Sequence, residues 1–285
     1  MFLNNYFDYF CSNATNRYGS GNIERQPAMD ILRKELDAIY DCQELDKELL
    51  DEEAVTEAIR RITNYTEVND GCCVITDASA DVCYIIGGSL CRLLGLTDSE
   101  RMYQMVDSSD EDAIYVRLHP EDLAEKRMLE YEYFKYVNPM DGDDKVRHKA
   151  VCNIRVRDCN GNYISVANST QVFRTSPGGK IWLILCCYGL SAYPAGDKGI
   201  CPRIVNTTTG EVVDVATDEC RWHILTPREK EILHLIKQGK ASKQIADVLG
   251  ISIHTVNRHR QNIIEKLSVS NTVEAISAAT LMKLM

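Results

Sequence analysis

Residues 225–275 read LTPREKEILHLIKQGKASKQIADVLGISIHTVNRHRQNIIEKLSVSNTVEA. Thr226 caps a helix with Pro227 at its first position, where a missing N–H costs nothing, and Glu229 three residues after the cap completes a capping box. Ile232, Leu233 and Ile236 supply its apolar stripe and Gly239 closes it. A second helix starts at Ser242, buries Ile245, Ala246 and Leu249, and stops at Gly250 after about two turns. Ser252 caps a third, longer helix, expected to bury Ile253, Val256, Ile263, Ile264 and Leu267.

Two short helices joined through a glycine and followed by a longer one are the sequence form of a helix-turn-helix, whose second helix enters the major groove of DNA. Once the core stripe is assigned, the outward positions on the last helix are His254, Thr255, Asn257, Arg258 and Gln261, with Arg260 at the flank. Asn and Gln bond adenine bidentately and Arg does the same to guanine, so Asn257, Arg258 and Gln261 are the expected base readers. Lys240, Ser242, Lys243, Ser252, His254, Thr255 and Arg260 are the expected phosphate contacts, which supply affinity rather than sequence choice.

The charge distribution agrees. The 285-residue chain carries a formal −10, but residues 221–285 carry +5 and the 220 residues before them −15. Such asymmetry is expected when one domain approaches phosphates and the other does not.

Upstream, residues 1–24 are rich in Asn, Ser, Gly and Tyr and form a weakly ordered lead-in. Residues 25–65 hold two amphipathic helical patterns, the first through Leu32, Leu36, Ile39 and Tyr40 and the second through Leu49, Val55, Ala58, Ile59 and Ile62. Their stripes suit either packing on the next domain or pairing with a second subunit. From residue 66 to 192 the texture becomes mixed. Short β-prone runs at 72–76 and 82–86 flank the turn Asp77-Ala78-Ser79-Ala80-Asp81. Ser89 is placed to cap a short helix through Leu90, Leu93 and Leu94. Another short helix is expected at 98–104, an acidic loop at 107–112, and a longer helix from His119-Pro120 to about Val137.

Three strands follow. Residues 151–157 alternate, Asn160-Gly161 makes the turn, 163–173 form the next strand, and 180–188 are apolar on both faces, which places that strand centrally. The expected fold class is α+β: an antiparallel five-stranded sheet with helices on one side, then a small all-α four-helix domain at 221–285. Residues 193–220 make the connection, with a hairpin of 203–206 and 211–214 around Thr207-Thr208-Thr209-Gly210.

Twelve cysteines occur without a Cys-x-x-Cys pair, mostly inside apolar runs, and read as reduced core thiols rather than metal ligands. No apolar run approaches the roughly 20 residues of a membrane span and the N-terminus lacks a basic flank and cleavage site, so a cytoplasmic, non-membrane protein is expected. There is no phosphate-binding Gly-x-x-x-x-Gly-Lys, nucleophile elbow or His-Glu-x-x-His, which argues against an enzyme.

Two resemblances add to this reading. Residues 69–191, with Ile75-Thr76-Asp77 in the first hairpin, Arg92-Leu93-Leu94-Gly95-Leu96 in the first helix and His119-Pro120-Glu121-Asp122-Leu123 opening the long one, resemble a PAS sensory domain. Gly87 stands where PAS domains often have Asn, and no His lies between Ser89 and Val106 to ligate haem. The resemblance implies a small pocket between sheet and helices. No cofactor is required by the sequence, and the expected occupant is a small apolar or amphipathic ligand, with direct protein–protein signalling as the equal alternative.

The C-terminal stretch resembles the LuxR-type (GerE-like) DNA-binding domain through Leu-Thr-Pro-Arg-Glu, Lys-Gln-Ile-Ala, Ile-Ser-Ile-His-Thr-Val and Asn-Ile-Ile-Glu-Lys-Leu in order. It implies a four-helix domain whose last helix, from Asn271 to Leu284, mediates dimerisation in many members. Gln244, Asn257 and Thr272 depart from the usual Glu, Lys and Arg. The expected function is a one-component transcription regulator that binds double-stranded DNA as a homodimer and senses a small-molecule or protein signal. The alternative is a non-catalytic adaptor that binds a partner protein and contacts RNA polymerase.

Overall fold

The computed structural model describes residues 33–108, 111–193, 197–215, 225–267, 269–281 and 284–285. The expected lead-in at 1–24 lies outside them. The described chain contains a large antiparallel sheet and a separate C-terminal group of helices.

The sheet is built around β6 (Ile181–Leu190), which pairs with β1 (Cys72–Asp77) on one side and β5 (Tyr163–Thr175) on the other. β2 (Val82–Gly87) lies beyond β1 and β4 (His148–Arg157) beyond β5. These are the five expected strands, and the doubly apolar one is central as its composition requires. Among the described residues the sheet nevertheless has eight strands, extended by β3 (Met102–Val106) beyond β2 and by β8 (Arg203–Asn206) and β9 (Val212–Asp214) beyond β4, in the order β3-β2-β1-β6-β5-β4-β8-β9.

Two corrections account for the difference. Residues expected as a short helix at 98–104 instead run into β3 (Met102–Val106), which pairs antiparallel with β2. Met102 is buried, Tyr103 exposed, Gln104 half-buried and Met105 exposed, a strand alternation that covers the edge of β2. At the other end the connecting hairpin forms as β8 (Arg203–Asn206) and β9 (Val212–Asp214), but it is not a free joint: β8 hydrogen-bonds along β4 and continues the sheet. A short strand, β7 (Asp197–Ile200), precedes it.

Helices pack on both faces, not on one. Helix α1 (Arg33–Asp41) contributes Leu36 to the inner core, and Tyr40 meets Phe134 edge-on with ring centroids 5.5 Å apart. Helix α2 (Glu52–Asn69) lies on the outer face, burying Ala54, Ala58, Ile59 and Ile62 against Cys73, Ile75, Ile86, Trp182, Leu183 and Leu185. The open choice between packing in the chain and pairing with a second subunit is thereby decided for this stripe; Leu49 and Val68 remain exposed. Asp51 caps α2 by accepting from Glu53 N–H, and Asp70 ends it in the left-handed region.

The inner face carries α3 (Ser89–Leu93), α4 (Asp112–Tyr115), α5 (Pro120–Val137) and the short α6 (Gly142–Lys145). Ser89 does not cap α3; its N–H donates instead to Asp70 Oδ1 at 2.8 Å, from nineteen residues upstream. Gly87, the departure from the PAS pattern, is forced by space: a Cβ there would lie 2.3 Å from Cys91 Sγ and 2.7 Å from the Gly71 carbonyl. Leu123, Leu129, Tyr133, Phe134 and Val137 of α5 pack on the sheet, while Ala124 and Met128 belong to the core of the C-terminal helices.

Those helices are α7 (Pro227–Lys237), α8 (Ser242–Leu249), α9 (Ile253–Lys266) and α10 (Thr272–Leu281). Their core is Ile232, Leu233, Leu235, Ile245, Ala246, Val256, Ile263, Leu267, Ala275, Ala278 and Ala279. Of the expected core positions Ile236, Leu249 and Ile264 are half-buried and pack against this core, Leu235 joins it, and Ile253 is 45% exposed. Among the described residues no helix is long and apolar enough to cross a membrane, and no group of three or more His, Cys, Asp or Glu residues is placed to hold a metal.

Candidate nucleic-acid interface and a buried polar cavity

The C-terminal helices hold α9 through its ends. Thr226 Oγ1 accepts from Glu229 N–H at 3.3 Å while Thr226 N–H donates to Glu229 Oε2 at 2.8 Å, the capping box expected from the sequence. The same Oε2 accepts from Lys266 Nζ at 2.8 Å, joining the start of α7 to the last turn of α9. Burial pushes the Glu229 carboxyl up, but the hydrogen bonds from Lys266 and Thr226 outweigh it and hold the group below its ordinary range. Gly239 and Gly250, at φ 79° and 63°, take the left-handed turns that end α7 and α8. Arg228 donates to the Leu249 carbonyl at 3.0 Å, fixing the turn before α9. At the start of α8, Ala241 has no side-chain acceptor, so only the reciprocal half of a cap forms: Ala241 N–H donates to Gln244 Oε1 at 2.9 Å. Ser252 caps α9 by accepting from Thr255 N–H at 3.0 Å.

With Val256, Ile263 and Leu267 turned inward, His254, Asn257, Arg258 and Gln261 all stand exposed. Their spacing of i, i+3, i+4 and i+7 makes one face of a helix. Gln261 Nε2 donates to Glu265 Oε1 at 2.9 Å, a surface bond that a base edge can replace. The expected phosphate contacts divide. Lys243 and Ser252 are exposed and Lys240 is half-buried. Thr255 and Ser252 share a 2.8 Å hydroxyl contact at the cap. Arg260 is turned inward: it donates to Ser242 Oγ and to Thr272 Oγ1, each at 3.2 Å, tying the starts of α8 and α10 to α9. The hydroxyl at Thr272, one of the three departures from the family pattern, is thus an acceptor for this bridge.

A second site lies between α5 and the sheet. A cavity of about 30 Å3 is lined by Leu36, Tyr40, Glu111, Tyr115, Arg127, Glu130 and their neighbours from β1, β5 and β6. That is room for a water or a very small ligand. Its wall is ionic. Lys126 is fully buried and donates to Glu130 Oε1 and, at 3.2 Å, to Tyr115 Oη; Tyr115 Oη donates to Glu130 Oε1 at 2.8 Å. The Arg127 guanidinium lies 4.3 Å from the centroid of the Tyr115 ring, and Tyr188 Oη donates to Glu111 Oε2. Burial raises Glu130, but the Lys126 and Arg127 charges outweigh it and hold its carboxyl low. Burial dominates at Glu111 and raises it. Glu130 Oε2 has no hydrogen-bond donor among the described residues; Arg127 Nη1 stands 3.8 Å away.

The sequence reading missed this cluster. Glu111 falls in the stretch expected as an acidic loop, and the sequence reading assigns no role to the charges of α5 beyond its first turn. The available signal was the absence of a solvated face: Asp122, Glu125, Lys126, Arg127 and Glu130 interleave with Ala124, Met128 and Leu129 around the whole helix, and all are buried. A helix with charge and apolar bulk on every side is enclosed on every side.

Comparison with known proteins agrees with this geometry. Residues 223–279 match the family described as "Bacterial regulatory proteins, luxR family". The nitrate/nitrite response regulator protein NarP of Escherichia coli is 40% identical over 88 residues, which is 30% of this chain and 41% of that protein. The transcriptional activator protein YukR of Yersinia ruckeri is 43% identical over 60 residues, 21% of this chain and 26% of that protein. The chain therefore spans less than half the length of these relatives. Among solved structures, Vibrio cholerae VqmA aligns over 79% of this chain and 88% of its own at 19% identity and a TM-score of 0.29. Escherichia coli SdiA aligns over 87% and 98% at 13% identity and a TM-score of 0.22. The C-terminal part of the chain carries a LuxR-type helix-turn-helix domain.

Proposed function

We propose that this chain is a one-component transcription regulator that binds double-stranded DNA in a sequence-specific manner, with a PAS-like domain as its sensor. The observation that carries the reading is the exposed stripe His254, Asn257, Arg258 and Gln261 on α9, opposite a core of Val256, Ile263 and Leu267. Asn257, Arg258 and Gln261 read base edges; Lys240, Ser242, Lys243, Ser252, His254 and Thr255 hold phosphates. Arg260, the remaining phosphate contact of this reading, spends two of its five N–H donors on Ser242 and Thr272.

The PAS-like assignment is supported by the order β2-β1-β6-β5-β4 within the sheet and by a cavity under the inner helices. Helix α5 joins the two activities. Arg127, Glu130 and Phe134 line the cavity, while Ala124 and Met128 pack with the LuxR-type domain. A ligand that prefers one position of α5 shifts the arrangement of the DNA-binding domain by its differential affinity for the two states. Two copies place two recognition helices on half-sites, and homodimerisation is part of this proposal.

Selection of bound duplexes from a random library, followed by titration at several salt concentrations, tests the reading. A single enriched motif with affinity that falls steeply with salt is expected. Equal retention of all sequences, or binding unchanged by Asn257→Ala, Arg258→Ala and Gln261→Ala together, rejects it.

A further inference from the structure

Cys73 and Cys187 are direct partners across the β1–β6 ladder, and their sulfurs lie 3.5 Å apart. Residues opposite each other in an antiparallel pair have Cα atoms about 4.5–5.5 Å apart, inside the roughly 4.4–6.8 Å span a disulfide bridges. A small rotation about each χ1 brings the sulfurs to bonding distance without moving the backbone.

The two thiols differ in access. Cys73 is 1% exposed beneath α2, whereas Cys187 is partly exposed and lines an open groove of about 1150 Å3. Cys73 donates its S–H toward Cys187, and that hydrogen bond, with smaller help from Lys149 and Ser169, lowers the Cys187 thiol despite burial; the Cys73 thiol is raised. The partly exposed sulfur is thus the one held below the ordinary thiol range, and the other is sheltered against it.

We infer that Cys73 and Cys187 form a peroxide-oxidisable dithiol that closes into a disulfide joining β1 to β6. The Cys187 thiolate attacks one oxygen of hydrogen peroxide: the S–O bond forms, the O–O bond breaks and hydroxide leaves, giving a sulfenic acid at Cys187. Cys73 sulfur then attacks the Cys187 sulfur; the S–S bond forms, the S–O bond breaks, and the Cys73 proton leaves with the hydroxyl as water. Two thiols supply two electrons, and one peroxide becomes two waters. The cross-link fastens β6, whose Ile184 and Cys186 line the cavity, to the strand beside it. It rests on the sheet alone and is independent of the DNA-binding proposal.

The pair has a competitor, because the Cys72 thiol hydrogen-bonds with Cys91 in the same region. Tryptic mapping separates the two. Cys72, Cys73, Cys83 and Cys91 fall in the peptide 62–92, and Cys186 and Cys187 in 181–198, so a Cys72–Cys91 bond stays within one peptide, and fragmentation of a joined species, with Cys186 found alkylated, assigns the bond to Cys73 and Cys187. The reduced full-length chain is exposed to a few equivalents of hydrogen peroxide, its remaining thiols are alkylated, and the non-reducing digest is read by mass spectrometry. A joined 62–92/181–198 species that dithiothreitol separates is expected, present in Cys91→Ser and absent in Cys187→Ser. In Cys73→Ser, dimedone labelling of Cys187 is expected. Recovery of both peptides unlinked with Cys73 and Cys187 alkylated, a bond confined to 62–92, or no dimedone adduct at Cys187 overturns the inference. If a variant fails to fold, the map of the unmodified sequence still decides.

Discussion

Lys266 Nζ donates to Glu229 Oε2 across 2.8 Å, so the last turn of the recognition helix is anchored to the carboxylate that caps the first helix of its domain. Glu229 is 2% exposed, and its one side chain serves as N-terminal cap and ion-pair partner at once. Glu229→Ala is expected to cost roughly 1–3 kcal/mol, as a cap is lost and a cation is left without its anion. The sign with pH follows from the depressed carboxyl: its contribution is present above the unfolded carboxylate range and is lost as pH falls through the lower folded value. Circular-dichroism melts in acid and at neutral pH check this, with the gap between parent and variant narrowing in acid.

DNA affinity is expected to separate the residues of α8 and α9 by kind. Arg258→Ala and Asn257→Ala are each expected to cost about 1–3 kcal/mol on the selected site and to relax discrimination at one base position. Lys243→Ala is expected to weaken all sequences alike and reduce the slope of log K against log salt by about 0.9. Fluorescence anisotropy over a salt series, with matched and mismatched duplexes, distinguishes the two behaviours.

The buried pair on α5 invites a double-mutant cycle. Lys126→Met alone leaves Glu130 charged and enclosed, for an expected loss of about 3–5 kcal/mol. Lys126→Met with Glu130→Leu is expected to recover most of it, as measured by urea unfolding.

Glu111 should show the opposite pH behaviour to Glu229. Its raised carboxyl makes the folded state hold the proton longer than the unfolded state, so stability falls as pH rises through the folded value. Glu111→Gln keeps an acceptor for Tyr188 and removes the titration. Its stability is expected to depend less on pH than the parent's between acid and neutral conditions, followed by thermal melts.

Gly87→Ala places a methyl group against Cys91 Sγ and the Gly71 carbonyl. A loss of about 1–3 kcal/mol is expected, and Cys91→Ala in the same chain should relieve only part of it, because the backbone carbonyl remains.

Much of this structure was legible in residue order. Thr226, Gly239, Gly250 and Ser252 state their turns chemically, and the five strands announced themselves by alternation or by the doubly apolar run at 181–188. What escaped was set by neighbours distant in sequence. Residues 102–106 become a strand because β2 offers an open edge, and Ser89 takes its cap from Asp70. The charges of α5 are buried against partners distant in sequence: Asp122 holds Arg155 of β4, Glu125 accepts from the Ile200 N–H, and Lys126 and Glu130 meet Tyr115. The bridge from Arg260 to Ser242 and Thr272 was equally hidden, because those hydroxyls converge on it only in three dimensions.

The hairpin β8–β9 shortens the leash on the DNA-binding domain. Since β9 ends at Asp214 and α7 begins at Pro227, only the segment between Val215 and Leu225 separates the sheet edge from the first buried residue of the LuxR-type core. Ten peptide steps span at most roughly 33–36 Å in any conformation, close to the one-turn spacing of about 34–36 Å between half-sites. The start of the LuxR-type core therefore stays within about one duplex turn's length of the sheet edge in every arrangement of the connection.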